Sequence, residues 1–184
     1  MQENYYKKFI HFLKEHNLYD ENAMEYLHEK GIFFNYLEEE NRDFIGCYFA
    51  INKRKILEDI ILCVPYIRDE KTLIINVHEY THALLYYKYL GKKVDTKNNS
   101  IEILPMMYEK LYIKESNSQL GKEYIEYLDS QITEKSDLKY RIALDAQQDM
   151  LDLYNKEQDP DKLQIQSKKL TKKLTKKLTK KLTK

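Results

Sequence analysis

The stretch Asp69–Gly91, DEKTLIINVHEYTHALLYYKYLG, decides how the remainder of the chain must be arranged. Asp69 is a helix-capping residue type, Glu70 places negative charge in the first turn, and Gly91 is a natural stop, so the pattern predicts one long helix. Ile74, Leu85 and Tyr89 surround the stripe that carries His78 and His82, while Leu73, Val77, Leu84 and Tyr87 cover the flank and the opposite side. A helix that is apolar nearly all round has to be buried, so the other elements must wrap it.

Inside this helix stands His78-Glu79-Tyr80-Thr81-His82, a His-Glu-x-x-His pattern. Imidazoles four residues apart lie about 40° apart around a helix and one turn apart along it, so both can aim a nitrogen at one ion. Glu79 points about 100° away from His78, yet its side chain is long enough to reach a water on that ion, which suits a general base. With 5 histidines among 184 residues, the expected number of accidental matches is about 0.01. The bland alternative is a pair of core histidines satisfied by hydrogen bonds. Burying two imidazoles and a carboxylate within one turn costs free energy unless each has a partner, and a divalent cation satisfies all three at once. Zinc is the expected cofactor.

A catalytic zinc needs a third protein ligand and an open position. No histidine follows His82, so a carboxylate must serve. Asp95 is close in sequence but falls in the loop-like segment 92–100. Glu102 and Glu109, seven residues apart, share one face of the next helix; Glu102 is the first choice, and Glu109 is placed to orient a ligand. The phenols available to stabilise an oxyanion are Tyr124, Tyr127 and Tyr140, three of 17 tyrosines.

Outward from the centre, residues 3–16 and 20–30 carry apolar residues at helical spacing, and Gly31 ends the second run. Phe44–Ile51 and Ile60–Ile67 are apolar, β-prone runs that predict two short strands forming a hairpin. A further helix starts near Glu102, with Pro105 tolerated in its first turn, and two more helical patterns occupy 118–156. The predicted fold class is α+β, mainly α: a zincin-like minimal domain with a short β-hairpin edge and a buried central His-Glu-x-x-His helix. The predicted division is a domain over 1–160 and a low-complexity basic tail over 161–184, where KKLT repeats with period four. The leucines of such a repeat drift around a helix, which predicts a solvated, partly disordered tail rather than a coiled coil.

The net charge of +1 hides a division, because nine lysines and no acid fall between Lys168 and Lys184 and the preceding residues carry net −8. An acidic body argues against nucleic-acid binding through that body; only the tail could contact anionic surfaces. No run of apolar residues is long enough to span a membrane and the start is too polar for a secretory signal, so the expected location is the cytoplasm, with Cys47 and Cys63 reduced.

Gly46-Cys47-Tyr48, Pro65-Tyr66-Ile67, His78–His82 and the segment from Glu102 through Pro105 to Glu109 together resemble the catalytic core of the thimet oligopeptidase and oligoendopeptidase F group of gluzincins. The resemblance covers about 64 residues. It implies peptide-bond hydrolysis, with residues 60–67 as an edge strand along which an extended peptide could pair. Those enzymes are several times longer and carry a downstream Gly- and Tyr-rich segment with a histidine that is absent here. The leading reading is therefore a minimal zinc metallopeptidase acting on peptides or on a flexible segment of a protein, either generally or on one regulatory target. The alternative is a catalytically silent, zinc-stabilised binding module.

Overall fold

The computed structural model describes residues 4–35, 46–94, 101–133 and 136–182. Among the described residues, seven helices and a three-stranded sheet make an α+β, mainly α architecture: α1 (Tyr5–Glu15), α2 (Glu21–Lys30), β1 (Ile32–Phe34), β2 (Cys47–Lys53), β3 (Ile56–Pro65), α3 (Glu70–Tyr87), α4 (Ile103–Ser116), α5 (Gln119–Gln131), α6 (Leu138–Tyr154) and α7 (Pro160–Leu182). Helix α3 is the spine. It contacts the sheet through β2 and β3, and α1, α2, α4 and α5 also pack against it. Leu73, Ile74, Val77 and Ala83 have no exposed surface, as the all-round apolar pattern requires.

Local signals account for the element ends. The Asp69 carboxylate accepts from Thr72 N at 2.7 Å, and the Thr72 hydroxyl lies 3.1 Å from Asp69 N, a reciprocal capping box. Asn4 and Asp20 cap α1 and α2 through their side-chain oxygens. α3 ends at Tyr87, before Gly91, because residues 88–91 turn back to the sheet. Gly91 adopts φ +74 and its N–H donates to Leu57 O at 2.8 Å. Asn117 closes α4 in the left-handed region, at φ 50.

β2 and β3 form the predicted hairpin, joined through Arg54 and Lys55, which both have positive φ as a two-residue hairpin turn requires. The strands are displaced from their expected bounds: β3 begins at Ile56 and ends at Pro65, and residues 36–45, which include the expected start of the first strand, lie outside the described residues. β1 was not expected. It pairs in parallel with β3, matching Ile32 to Cys63 and Phe34 to Pro65, and the sheet order is β1-β3-β2. The expectation that residues 60–67 form an edge strand is thereby corrected. β3 is the middle strand, and its backbone groups are committed on both sides near Cys63. The outer strand next to the helix is β2.

The expectation of a solvated tail is also corrected. α7 lies against α6 and α4, with Leu163, Ser167, Thr171, Leu174 and Leu178 buried. No helix among the described residues is long and apolar enough to cross a membrane.

Candidate metal site

The geometry of α3 brings the two histidines together. His78 and His82 face the start of α4, their Nε2 atoms 3.2 Å apart and their ring centroids 4.9 Å apart. The helix is pinned where it carries them: the Asn76 amide donates to Pro65 O at 2.9 Å and to Thr72 O at 2.8 Å, which ties α3 to the end of β3. Gly46, just ahead of β2, matters for the same reason. A Cβ there would sit 3.0 Å from Ile75 Cγ2 and 3.1 Å from Glu79 Cγ, so glycine allows the strand to approach the helix at Glu79.

His78, Glu79 and His82 each offer a ligand atom within 4.8 Å of one another, a group that could hold a metal ion. Two carboxylates compete for the third position. Glu102, at the N-terminal end of α4, places Oε2 3.2 Å from His78 Nε2 and 3.2 Å from His82 Nε2. The three atoms thus form an equilateral triangle. A triangle of that edge is the face of a tetrahedron whose centre lies about 2.0 Å from each corner, the bond length of nitrogen and carboxylate ligands on a small divalent ion. Glu102, at 3.2 Å from both imidazole nitrogens, fits the ligand position better than Glu79, whose carboxylate lies within 4.8 Å of the two histidines and lines the adjoining cavity.

Around this triangle, two further charges fix its members. Glu109, two turns along α4 from Glu102, sets Oε1 3.0 Å from His78 Nδ1. Accepting the Nδ1 proton leaves the Nε2 lone pair of His78 facing the triangle. Lys139, from the first turn of α6, donates to the other oxygen of Glu102 at 2.8 Å. Sequence reasoning missed Lys139, which stands 37 residues from its partner with no local pattern to mark it.

The electrostatics follow from crowding six ionisable groups, His78, Glu79, His82, Glu102, Glu109 and Lys139, into a small volume. Burial lowers the His82 pKa to about 4, against the opposing pull of Glu102. Burial also opposes charge on His78, but Glu109 and Glu102 together outweigh it and raise its pKa. Burial opposes ionisation of Glu102 too, yet contacts with both imidazoles hold it well below the usual carboxylate range. Glu79 is pushed up to about 7, first by burial and then by the Glu102 and Glu109 charges, against the attraction of His78.

A cavity of about 370 Å³ opens beside His78 and Glu79. Of the three tyrosines proposed for an oxyanion, Tyr124 and Tyr140 line it. Tyr127 does not. It is 56% exposed, and its place on α5 is about 120° away from the middle of the arc that faces the cavity. Asp95 lies outside the described residues. No family model, curated protein or solved structure matches this chain.

Proposed function

We propose that this chain is a zinc-dependent peptide hydrolase in which His78, His82 and Glu102 hold the ion and Glu79 is the general base. The observation that carries the reading is the triangle of 3.2 Å edges with a carboxylate beside it and a cavity in front. Two nitrogens and one oxygen in this geometry suit zinc, and the retained Glu79 is a residue that a purely structural site would not need.

Zinc at this position would polarise a peptide carbonyl and bring the pKa of a water from about 15.7 towards about 7. The remaining work falls to the chain. Glu79 would accept a proton from the attacking water on its carboxylate and later deliver it to the departing amine. Glu109 would hold His78 in the tautomer that presents Nε2, and Lys139 engages one oxygen of Glu102, which leaves Oε2 as the oxygen that would hold the ion. Tyr124 and Tyr140, which line the cavity, would be the phenols that donate to the oxyanion. An extended substrate would pair with the outer side of β2 rather than with β3.

Metal analysis of the purified chain beside Glu79→Gln, with both proteins assayed on a mixed peptide library, tests this. The expected outcome is about one zinc per chain in both and cleavage in the parent alone. Equal cleavage by the variant would remove Glu79 as base. Zinc without cleavage in the parent would leave a silent binding module.

A further inference from the structure

Beside the metal triangle, the cavity has a composition of its own. Its apolar wall is built by Ile75 from α3, Met106 from α4, and Ile125 and Leu128 from α5, with Ile132 just beyond. Gly121 lets α5 stand this close: a Cβ there would come within 3.1 Å of Ile113 and 3.3 Å of Ile74. Three acids also line the cavity, and two of them already have partners. Glu109 is engaged by His78 Nδ1 at 3.0 Å, and Asp129 accepts from Lys110 Nζ at 2.6 Å. The third, Glu79, faces the metal triangle as the base. Among the described residues that line the cavity, no acid is left to recruit a cation from a ligand.

We propose that this cavity receives one large apolar side chain, leucine, methionine or phenylalanine, from a peptide whose backbone lies over the metal triangle. The substrate class is then a peptide or flexible protein segment with such a residue flanking the cleaved bond. Its volume of about 370 Å³ falls in the range of specific ligand pockets. Continuity with His78 and Glu79 makes the occupant part of the same substrate rather than a separate ligand. This inference rests on the peptidase reading of the site, although the preference itself is a property of the cavity.

The experiment uses the full, zinc-loaded chain and three probes: the N-acetyl amides of leucine, alanine and lysine. Their affinities are read from the chemical shifts of the isoleucine, leucine and methionine methyl groups. Leucine exceeds alanine by three buried carbons, so its amide should bind about 50-fold more tightly. The shifts should centre on Met106, Ile125, Leu128 and Ile132. Leu128→Trp, which pushes an indole into the apolar part of the cavity, should weaken the discrimination at least about tenfold with zinc content unchanged; Ile132→Trp serves the same purpose should the first variant fold poorly. Binding of the lysine amide equal to that of the leucine amide, or discrimination that neither substitution weakens, would overturn the proposal. A peptide library incubated with the same samples separates the two claims. Discrimination without any cleavage sinks the peptidase reading and leaves the apolar preference standing, whereas cleavage with no preference for large apolar residues sinks the preference.

Discussion

Glu109 offers the sharpest test of how the site is built, because it would touch no metal and yet should control metal affinity. Its Oε1 lies 3.0 Å from His78 Nδ1, and its side chain is 9% exposed. Removing such an outer partner costs about 10- to 100-fold in metal affinity, or about 1.4–2.7 kcal/mol. Glu109→Gln keeps an oxygen acceptor for the Nδ1 proton but loses the negative charge, so it should sit near the tenfold end. Glu109→Leu removes the acceptor as well, frees the imidazole to rotate or change tautomer, and should approach 100-fold. Competition against a zinc-chelating dye measures both. Thermal unfolding of the metal-free proteins checks that the fold is intact. Zinc affinity in Glu109→Leu equal to that of the parent would refute the argument that this carboxylate orients the ligand.

Other consequences concern charge and pH. Lys139→Met leaves one oxygen of the buried Glu102 without its cation, which should destabilise the metal-free protein by about 1.5 kcal/mol, the low end for a charged hydrogen bond because Lys139 is partly exposed. Zinc should restore most of the loss, since the ion supplies the missing positive charge; unfolding followed by calorimetry with and without zinc decides this, and an equal loss in both states would contradict it. At the sheet, Tyr26 donates to Asp59 and, with Ile60 N and Lys30 helping against burial, holds that carboxyl below its usual pKa. A depressed carboxylate stabilises the fold above its unfolded pKa near 3.9, and the contribution disappears as pH falls through the lower folded value. Tyr26→Phe should therefore lower the Tm at pH 7 by about 2–4 °C, corresponding to about 1 kcal/mol, and the gap should narrow by pH 2.5. A gap independent of pH would show that the carboxylate is not the cause.

What the sequence disclosed, and what it concealed, divides by the range of the interaction. α3 was legible because caps, apolar periodicity and the histidine spacing are all local, and Glu102 and Glu109 could be paired because seven residues make two turns. The hairpin was legible from its two β-prone runs. β1 was not: Ile32, Phe33 and Phe34 are too few to show a period of two, and only their parallel pairing with β3 makes them a strand. That pairing moved β3 from the edge to the middle. Lys139 and the cavity depend on α6 and α5 folding back over α4 and α3, contacts that no local pattern records.

α7 shows how a simple repeat can still specify a packed face. In KKLT the leucine column advances about 40° with each repeat, and each threonine stands about 100° beyond its leucine. The buried positions Gln164, Ser167, Thr171, Leu174 and Leu178 step by three and four residues alternately. Early in the repeat, threonine faces the body while Leu170 rides the shoulder. Later, Leu174 and Leu178 drift to the centre and Thr175 moves to the opposite shoulder. Thr171 tolerates burial because its hydroxyl donates to Ser167 O at 2.8 Å, and Lys172, Lys173, Lys176 and Lys177 remain exposed. Leu170, Leu174 and Leu178 are thus chemically identical but energetically unequal. Leu174→Ala and Leu178→Ala should each cost about 2 kcal/mol, the low end for a core leucine at an 6–8% exposed boundary, and lower the Tm by about 4–8 °C. Leu170→Ala should cost less than about 1 kcal/mol. Unfolding curves in which all three substitutions are silent would mean that the helix does not pack on α6, whereas equal large losses would mean that the drift of the repeat does not select which leucines are buried.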